Sequence, residues 1–231
     1  GEGWYNADAT PGQGVWKSTD GGSTWNQLAS TSSNVNFQYC QDIDVHPITS
    51  DVYVATRAGG LMRSQDGGNT FQKVLGVGYG AQRNSICDVE FTASGGIFAT
   101  IGIFESLGGI YYSATGDSGT WTKQVNGYPI NGIYRTEIAT APSNDNVAYA
   151  VNMNSSTQGI RGFYKTTNKG LQWDTLPLPG GDYQFAKKQA WYDLTLSVDP
   201  NDENTVIAGG WCLWKTTDGG QTWFRLNHGK T

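Results

Sequence analysis

The chain has 231 residues and a mass of 25.0 kDa, a length open to one or two domains. Its net charge of −5, with no Lys/Arg cluster, excludes the basic surface that sequence-blind nucleic-acid binding needs. Abundant Gly (32), Trp (9) and Tyr (12), 15% charged residues and no helical apolar period point to short strands joined by turns, and no apolar run reaches the roughly 20 residues of a membrane-spanning helix, so membrane insertion is not expected.

In chain order, residues 1–14 ("GEGWYNADATPGQG") form a loop that carries Trp4 and Tyr5, with a strand remnant in its first six residues. The chain starts with neither Met nor a signal peptide and reads as cut from something longer. "KSTDGGSTW" (17–25) then supplies two strands and the hairpin between them, so that 1–30 is a partial unit. A complete unit follows at 40–76: "CQDIDVHP" alternates as a strand, "DVYVATR" follows a turn, "GLMRS" leads into a second hairpin and "TFQKVLG" leaves it. The same four pieces recur at 86–126, 134–178 and 192–227. Aligned on their last aromatic, the hairpins end at Trp25, Phe71, Trp121 (a degenerate copy), Trp173 and Trp223, spaced by 46, 50, 52 and 50 residues. A period near 50 built of four short antiparallel strands predicts the blades of a β-propeller, all-β throughout. A blade cannot bury both of its faces alone, which is why the unit must recur. At about four and a half blades, the chain reads as a segment of one larger propeller domain.

The repeated turn has a local chemistry. Ser or Thr opens it, Asp20, Asp66, Asn168 or Asp218 accepts backbone N–H groups, and the Gly pair supplies positive φ. The closing aromatic is expected in the apolar seam of its own blade, largely buried. These four Asp/Asn positions are therefore read as structural. Each turn offers at most one carboxylate, whereas calcium takes about 6–8 oxygens, so no metal is expected, and nothing suggests a cofactor. Cys40, Cys87 and Cys212 lack metal-ligand spacing. They read as buried free thiols, with one disulfide and one spare thiol as the alternative.

The pattern S/T-x-D-x-G-x-T-W/F resembles the Asp-box, or bacterial neuraminidase repeat, of sialidases, sortilin-type receptors and xyloglucanase-like glycosidases. "GEGWYNADATPGQGVWKSTDGGSTW" and "WYDLTLSVDPNDENTVIAGG" resemble large Bacteroidota propeller proteins exported by type IX secretion. The resemblance implies a secreted or cell-surface location and contact with secretion machinery. It also implies that ligands meet the face carrying the blade-to-blade and second-to-third-strand loops.

On that face the longest blade-to-blade connection is "PGGDYQFAKKQAW" (179–191), with Tyr183, Phe185, Lys187, Lys188 and Trp191; with Trp4 and Tyr5 these suit stacking on sugar rings or on a partner protein. The alternative is that they pin the loops down. Asp42, Asp88, Glu137 and Asp193 read as one register position of the first strand, each bonding backbone N–H groups of the adjacent blade, with a cation ring as the functional alternative. Sialidases need three arginines and an Arg-Ile-Pro signature; the signature is absent, leaving Arg57, Arg83 and Arg135 as surface or blade-spanning residues. A xyloglucanase-like site needs two carboxylates about 6.5–9.5 Å apart for inversion, one of them before a Gly-Gly. Here "TRAGGLMRS" has Ala58 at that place and Glu105 is the nearest other acid. No catalytic residue is assigned. The expected function is a binding or scaffold module for a glycan or protein, with a glycoside hydrolase whose acids lie elsewhere as the alternative.

Overall fold

The structure, a computed structural model, describes residues 9–76, 85–102, 108–181 and 185–226. Eighteen strands are seen among them, all paired antiparallel. A two-stranded hairpin, β1 (Trp16–Lys17) and β2 (Asn26–Gln27), precedes four four-stranded sheets. Blade A is β3 (Cys40–Val45), β4 (Val52–Thr56), β5 (Gly60–Ser64) and β6 (Gln72–Leu75). Blade B is β7 (Ile86–Phe91), β8 (Ile97–Ile101), β9 (Gly109–Ser113) and β10 (Thr122–Lys123). Blade C is β11 (Ile133–Thr140), β12 (Ala148–Asn154), β13 (Ile160–Thr166) and β14 (Asp174–Leu176). Blade D is β15 (Thr195–Asp199), β16 (Asp202–Gly209), β17 (Leu213–Thr216) and β18 (Phe224–Arg225). Each sheet meanders in sequence order, and the first strands of successive sheets are neighbours.

Alternation along each strand divides its side chains between two neighbouring blades. In β12, Ala148 and Ala150 join Phe98 and Ile110 of blade B in one core cluster. Tyr149 and Val151 point the other way and join Val198, Val206 and Trp214 of blade D. Tyr53, Ala55 and Leu61 of blade A meet Val89 and Phe91 of blade B in the same manner. Every blade-to-blade seam is thus a two-sided apolar layer, which explains why β8 and β12 are buried almost end to end. On blade A, Ile43 and Val45 of β3 are exposed, although their counterparts Val89 and Phe91 of β7 are buried. Ile207 and Leu213 of blade D are likewise exposed at positions where blade C buries Tyr149 and Phe163.

The five hairpin aromatics occupy equivalent places in their turns, and four of them, Phe71, Trp121, Trp173 and Trp223, reach back onto what precedes their blade. Phe71 meets Phe37 edge-on at 5.0 Å, Trp173 meets Phe98 of blade B, and Trp223 meets Phe163 of blade C at 4.9 Å and donates its indole N–H to the Pro177 carbonyl. Burial follows from that geometry. Trp173 is 1% exposed, Phe71, Trp121 and Trp223 are half-buried, and Trp25, with no blade before it among the described residues, is 59% exposed. The expectation of five largely buried rings is corrected accordingly. All three cysteines are free; Cys87 and Cys212 are buried and Cys40 partly so. Burial pushes the Cys40 thiol up to about 11 and Cys87 up to about 12, so neither is a ready nucleophile.

Truncation should separate the rings. Trp173→Ala is expected to cost about 3–5 kcal/mol, whereas Trp25→Ala should stay within about 0.5 kcal/mol. Denaturant melts of the two variants check this.

Candidate functional site

The hairpin turns are closed by a fixed hydrogen-bond set. In the second turn, Thr70 donates its backbone N–H to Asp66 Oδ1 at 2.9 Å and its hydroxyl to Oδ2 at 2.6 Å. Ser64 donates to Oδ1 at 2.8 Å and accepts from the Gly68 N–H. Asp20 and Asp218 repeat this with Thr24 and Thr222, and Asn168 keeps the bonds from the Gln172 N–H and the Thr166 hydroxyl. The donors at Thr24, Thr70 and Thr222 hold the three carboxyls at about 2, and with every carboxylate oxygen engaged the turns offer little to a ligand. The degenerate turn of blade B differs: Ser113 bonds Thr120 directly, and Asp117 turns outward to Arg63 of blade A at 2.8 Å.

On the first strands, carboxylates fasten one blade to the next. Asp42 accepts from the Val89 N–H at 3.0 Å and Asp88 from the Ile138 N–H at 2.7 Å. At blade C the device changes hands. Glu137 pairs with Arg135 at 2.6 Å, and Arg135 donates to the Tyr192 carbonyl and, at 2.8 Å, to the Leu194 carbonyl of the following segment. Arg135 is therefore a blade-spanning arginine. The ladder places Asp42, Asp88 and Glu137 on one rung, opposite Ala55, Thr100 and Val151. Thr195, not Asp193, holds that rung in blade D, opposite Gly209. The expected fourfold carboxylate row is thus a row of three. Burial raises Asp42, Asp88 and Glu137 above the usual carboxylate range, and neighbouring acids push Asp88 further. Burial followed by Asp44 lifts Glu90 up to about 8. Among the described residues no group of three or more His, Cys, Asp or Glu is arranged to hold a metal ion.

The loop face is richest between blades C and D. Phe185 is fully buried with Ala186 and Ala190 in the C–D core, and Trp191 packs partly against that core. Phe185 is therefore a core residue and does not offer its ring to a ligand. Trp4, Tyr5, Tyr183, Arg83 and Glu105 lie outside the described residues. Two aromatics that the sequence reading passed over are exposed instead. Tyr192 stands beside Trp191 with ring centroids 5.4 Å apart, and Trp211, in the β16–β17 turn, lies under the Lys187 ammonium at 3.8 Å. The Cys212 N–H donates to the Phe185 carbonyl and the Ala190 N–H to the Gln158 carbonyl, tying the 185–192 segment to the turns of both blades. Lys187 adopts φ of 50°, a left-handed conformation that a non-glycine residue rarely takes. Arg57 stacks on Tyr39 at the same end of blade A, and Ala58 follows it in the β4–β5 turn.

These blades and seams define a β-propeller, and solved structures share the arrangement. No protein-family model and no curated protein matches the sequence. The chain superposes on a glycoside hydrolase family 74 xyloglucanase from Xanthomonas campestris with a TM-score of 0.71 and 17% identity, over 90% of this chain and 34% of that one. A family 74 enzyme from Niastella koreensis gives 0.68 and 21%, over 92% and 34%. YCF48 bound to D1 peptide gives 0.56 and 19%, over 91% and 59%. The chain spans about a third of the length of the two hydrolases. At these identities the likeness is one of fold.

The inner carboxyls give stability a definite pH dependence. A carboxyl raised from an ordinary 4.5 to about 8, as Glu90 is, contributes stability fully present below pH 4.5 and lost as pH rises through about 8. The turn aspartates run oppositely: lowered from 3.8 to about 2, they contribute stability present above 3.8 and lost as pH falls toward 2. The melting temperature should therefore peak near pH 4–5. Glu90→Gln should flatten the alkaline slope and leave the acid slope unchanged, which thermal melts across pH 2–9 check.

Proposed function

We propose that this chain belongs to a non-catalytic binding propeller that presents its loop face between blades C and D to a glycan or protein partner. The observation that carries the reading is the pair of exposed aromatics Tyr192 and Trp211, the first beside half-buried Trp191 and the second capped by Lys187. Flat rings set beside one cation suit stacking against sugar rings or against a partner's apolar side chains. Trp4, Tyr5 and Tyr183 are assigned to the same surface by their place in the sequence, and residues 1–231 are treated as part of one propeller domain. The Asp-box kinship, a secreted or cell-surface location and export by the type IX route belong to this proposal and rest on the sequence phrases alone.

A second reading is favoured by one observation, the likeness to two family 74 hydrolases of which this chain spans a third. In that reading the propeller is a glycoside hydrolase whose acids lie outside this segment. The inner carboxyls support the non-catalytic reading: Asp42 and Asp88 are spent on backbone N–H groups and Glu137 on Arg135.

A glycan array and a protein-interaction screen with the wild type and a Tyr192→Ala/Trp211→Ala double variant test the proposal. The bound ligand should be lost by at least about tenfold, equivalent to about 1.4 kcal/mol, while the melting temperature holds. Unchanged binding would overturn the site, and glycoside hydrolysis that depends on a carboxylate within residues 1–231 would overturn the non-catalytic assignment.

A further inference from the structure

The blade junctions are not alike on the hairpin side of the molecule, the side opposite the loop face. At three of them a basic residue just before the hairpin reaches across to the next blade. Lys17 donates to the Gly67 carbonyl at 3.0 Å, Arg63 pairs with Asp117 at 2.8 Å, and Lys165 donates to Asn204 at 3.2 Å. At the junction of blades B and C this position is Tyr112, whose ring leans on Phe98 of its own blade at 4.9 Å. There Asn126 joins the two blades instead, donating its side-chain N–H to the Leu171 carbonyl at 3.1 Å and accepting the Trp173 N–H on its own carbonyl at 3.0 Å. The groove between the outer strand of blade B and the hairpin of blade C opens to about 720 Å³, whereas the groove beside the Arg63–Asp117 pair holds about 170 Å³.

A second departure from the repeat falls at the same junction. The turn residue after Asp20, Asp66 and Asp218 is a glycine with φ of 70°, 71° and 72°. In blade C it is Lys169, held at φ of 57°, where a side chain is disfavoured. The preceding position is Asn168 in place of the aspartate of the other three turns, so a negative charge is missing beside the added positive one. Backbone kept in a disfavoured region by its surroundings points to a use for the side chain it carries. Lys169 and Lys123 both line the groove, as do Asn126 and Asn168, whose side chains are held by the Leu171 carbonyl and by the Gln172 N–H. Asp145 is the acid near Lys169, and it is engaged by the Ser94 N–H at 3.0 Å. Two aliphatic side chains complete the walls, Leu171 at 70% exposed and Val125 at 51% exposed.

We propose that this groove is a second binding site and takes an acidic peptide segment of a partner protein, with a Glu or Asp on Lys169 and an aliphatic side chain on Leu171 and Val125. The charge complement is the argument for an acidic segment: the Lys169 ammonium stands among the neutral amides of Gln124, Asn146 and Asn168 in a chain of net charge −5. The aliphatic walls are the argument for a peptide over an acidic glycan. Tyr112 is the one aromatic lining the groove, and its ring face is committed to Phe98. This site is separate from the aromatic loop face and does not depend on that assignment.

The experiment is fluorescence anisotropy of the 231-residue chain with three labelled probes at low salt. These are an extended peptide alternating Glu with Leu, the same peptide with Lys for Glu, and an oligogalacturonate. Two variants accompany the wild type: Lys169→Gly, which restores the residue the other turns carry, and Tyr112→Arg, which restores the spanning base. The acidic peptide should bind the wild type at least tenfold tighter than the other two probes. Lys169→Gly should lose that binding at least tenfold while its melting temperature rises, because the left-handed position is relieved. Tyr112→Arg should weaken binding by closing the groove. The proposal is overturned if the acidic peptide does not bind, if Lys169→Gly binds it undiminished, or if the oligogalacturonate is the tighter probe.

Discussion

The structure depends on one contact, repeated at each seam: the face of one blade against the face of the next. A single sheet of four short strands leaves apolar side chains on both sides, and neither side can be left wet without cost. β12 shows the consequence in one strand, with Ala148 and Ala150 turned to blade B and Tyr149 and Val151 turned to blade D. The hairpin aromatics extend the same contact outward, as Trp173 does on Phe98 and Trp223 on Phe163. Asp42 and Asp88 extend it inward, each satisfying a backbone N–H that the next blade would otherwise bury unpaired.

Because seams carry the stability, polar chemistry on the first strands is confined. Asp42, Asp88 and Glu90 stand in a wall that desolvates them and that concentrates like charge, so their protons are held more tightly than usual. Arg135 relieves this at blade C by pairing with Glu137 and gripping the carbonyls of the next segment. Binding chemistry is left to places that the seams do not use. These are the turns that carry Lys187, Tyr192 and Trp211 on one side, and the groove beside Tyr112 and Lys169 on the other. Both sites hold a lysine at positive φ, Lys187 at 50° and Lys169 at 57°.

The period, the four strands per unit and the turn chemistry were legible in the sequence because they are local. The Thr-to-Asp bonds of each turn join residues four apart, within reach of a pattern. What lies between blades was not legible. Nothing in "KSTDGGSTW" distinguishes Trp25 from Trp223, and their different burial comes from the blade that one of them rests on. Phe185 looked like a surface aromatic because it sits in a long loop, yet that loop folds back into the C–D core. The misplacement of Asp193 carried a signal that was passed over. Asp42 and Glu137 stand five residues before Pro47 and Pro142, whereas Asp193 stands seven before Pro200, which moves Thr195 onto the rung. Tyr192 and Trp211 belong to different loops, and only the fold brings them to one face.

The central claim is that each blade is stable to the degree that its two faces are covered. Amide hydrogen exchange of the 231-residue chain under native conditions tests it strand by strand. Blades B and C have a blade on either side, blade D exposes Ile207 and Leu213, and the β1–β2 hairpin leaves Trp25 in water. Amides of β8 and β12 should therefore exchange most slowly, those of β16 and β17 faster, and those of β1 and β2 fastest. Equal protection in all four sheets, or slower exchange in β16 than in β12, would contradict the account.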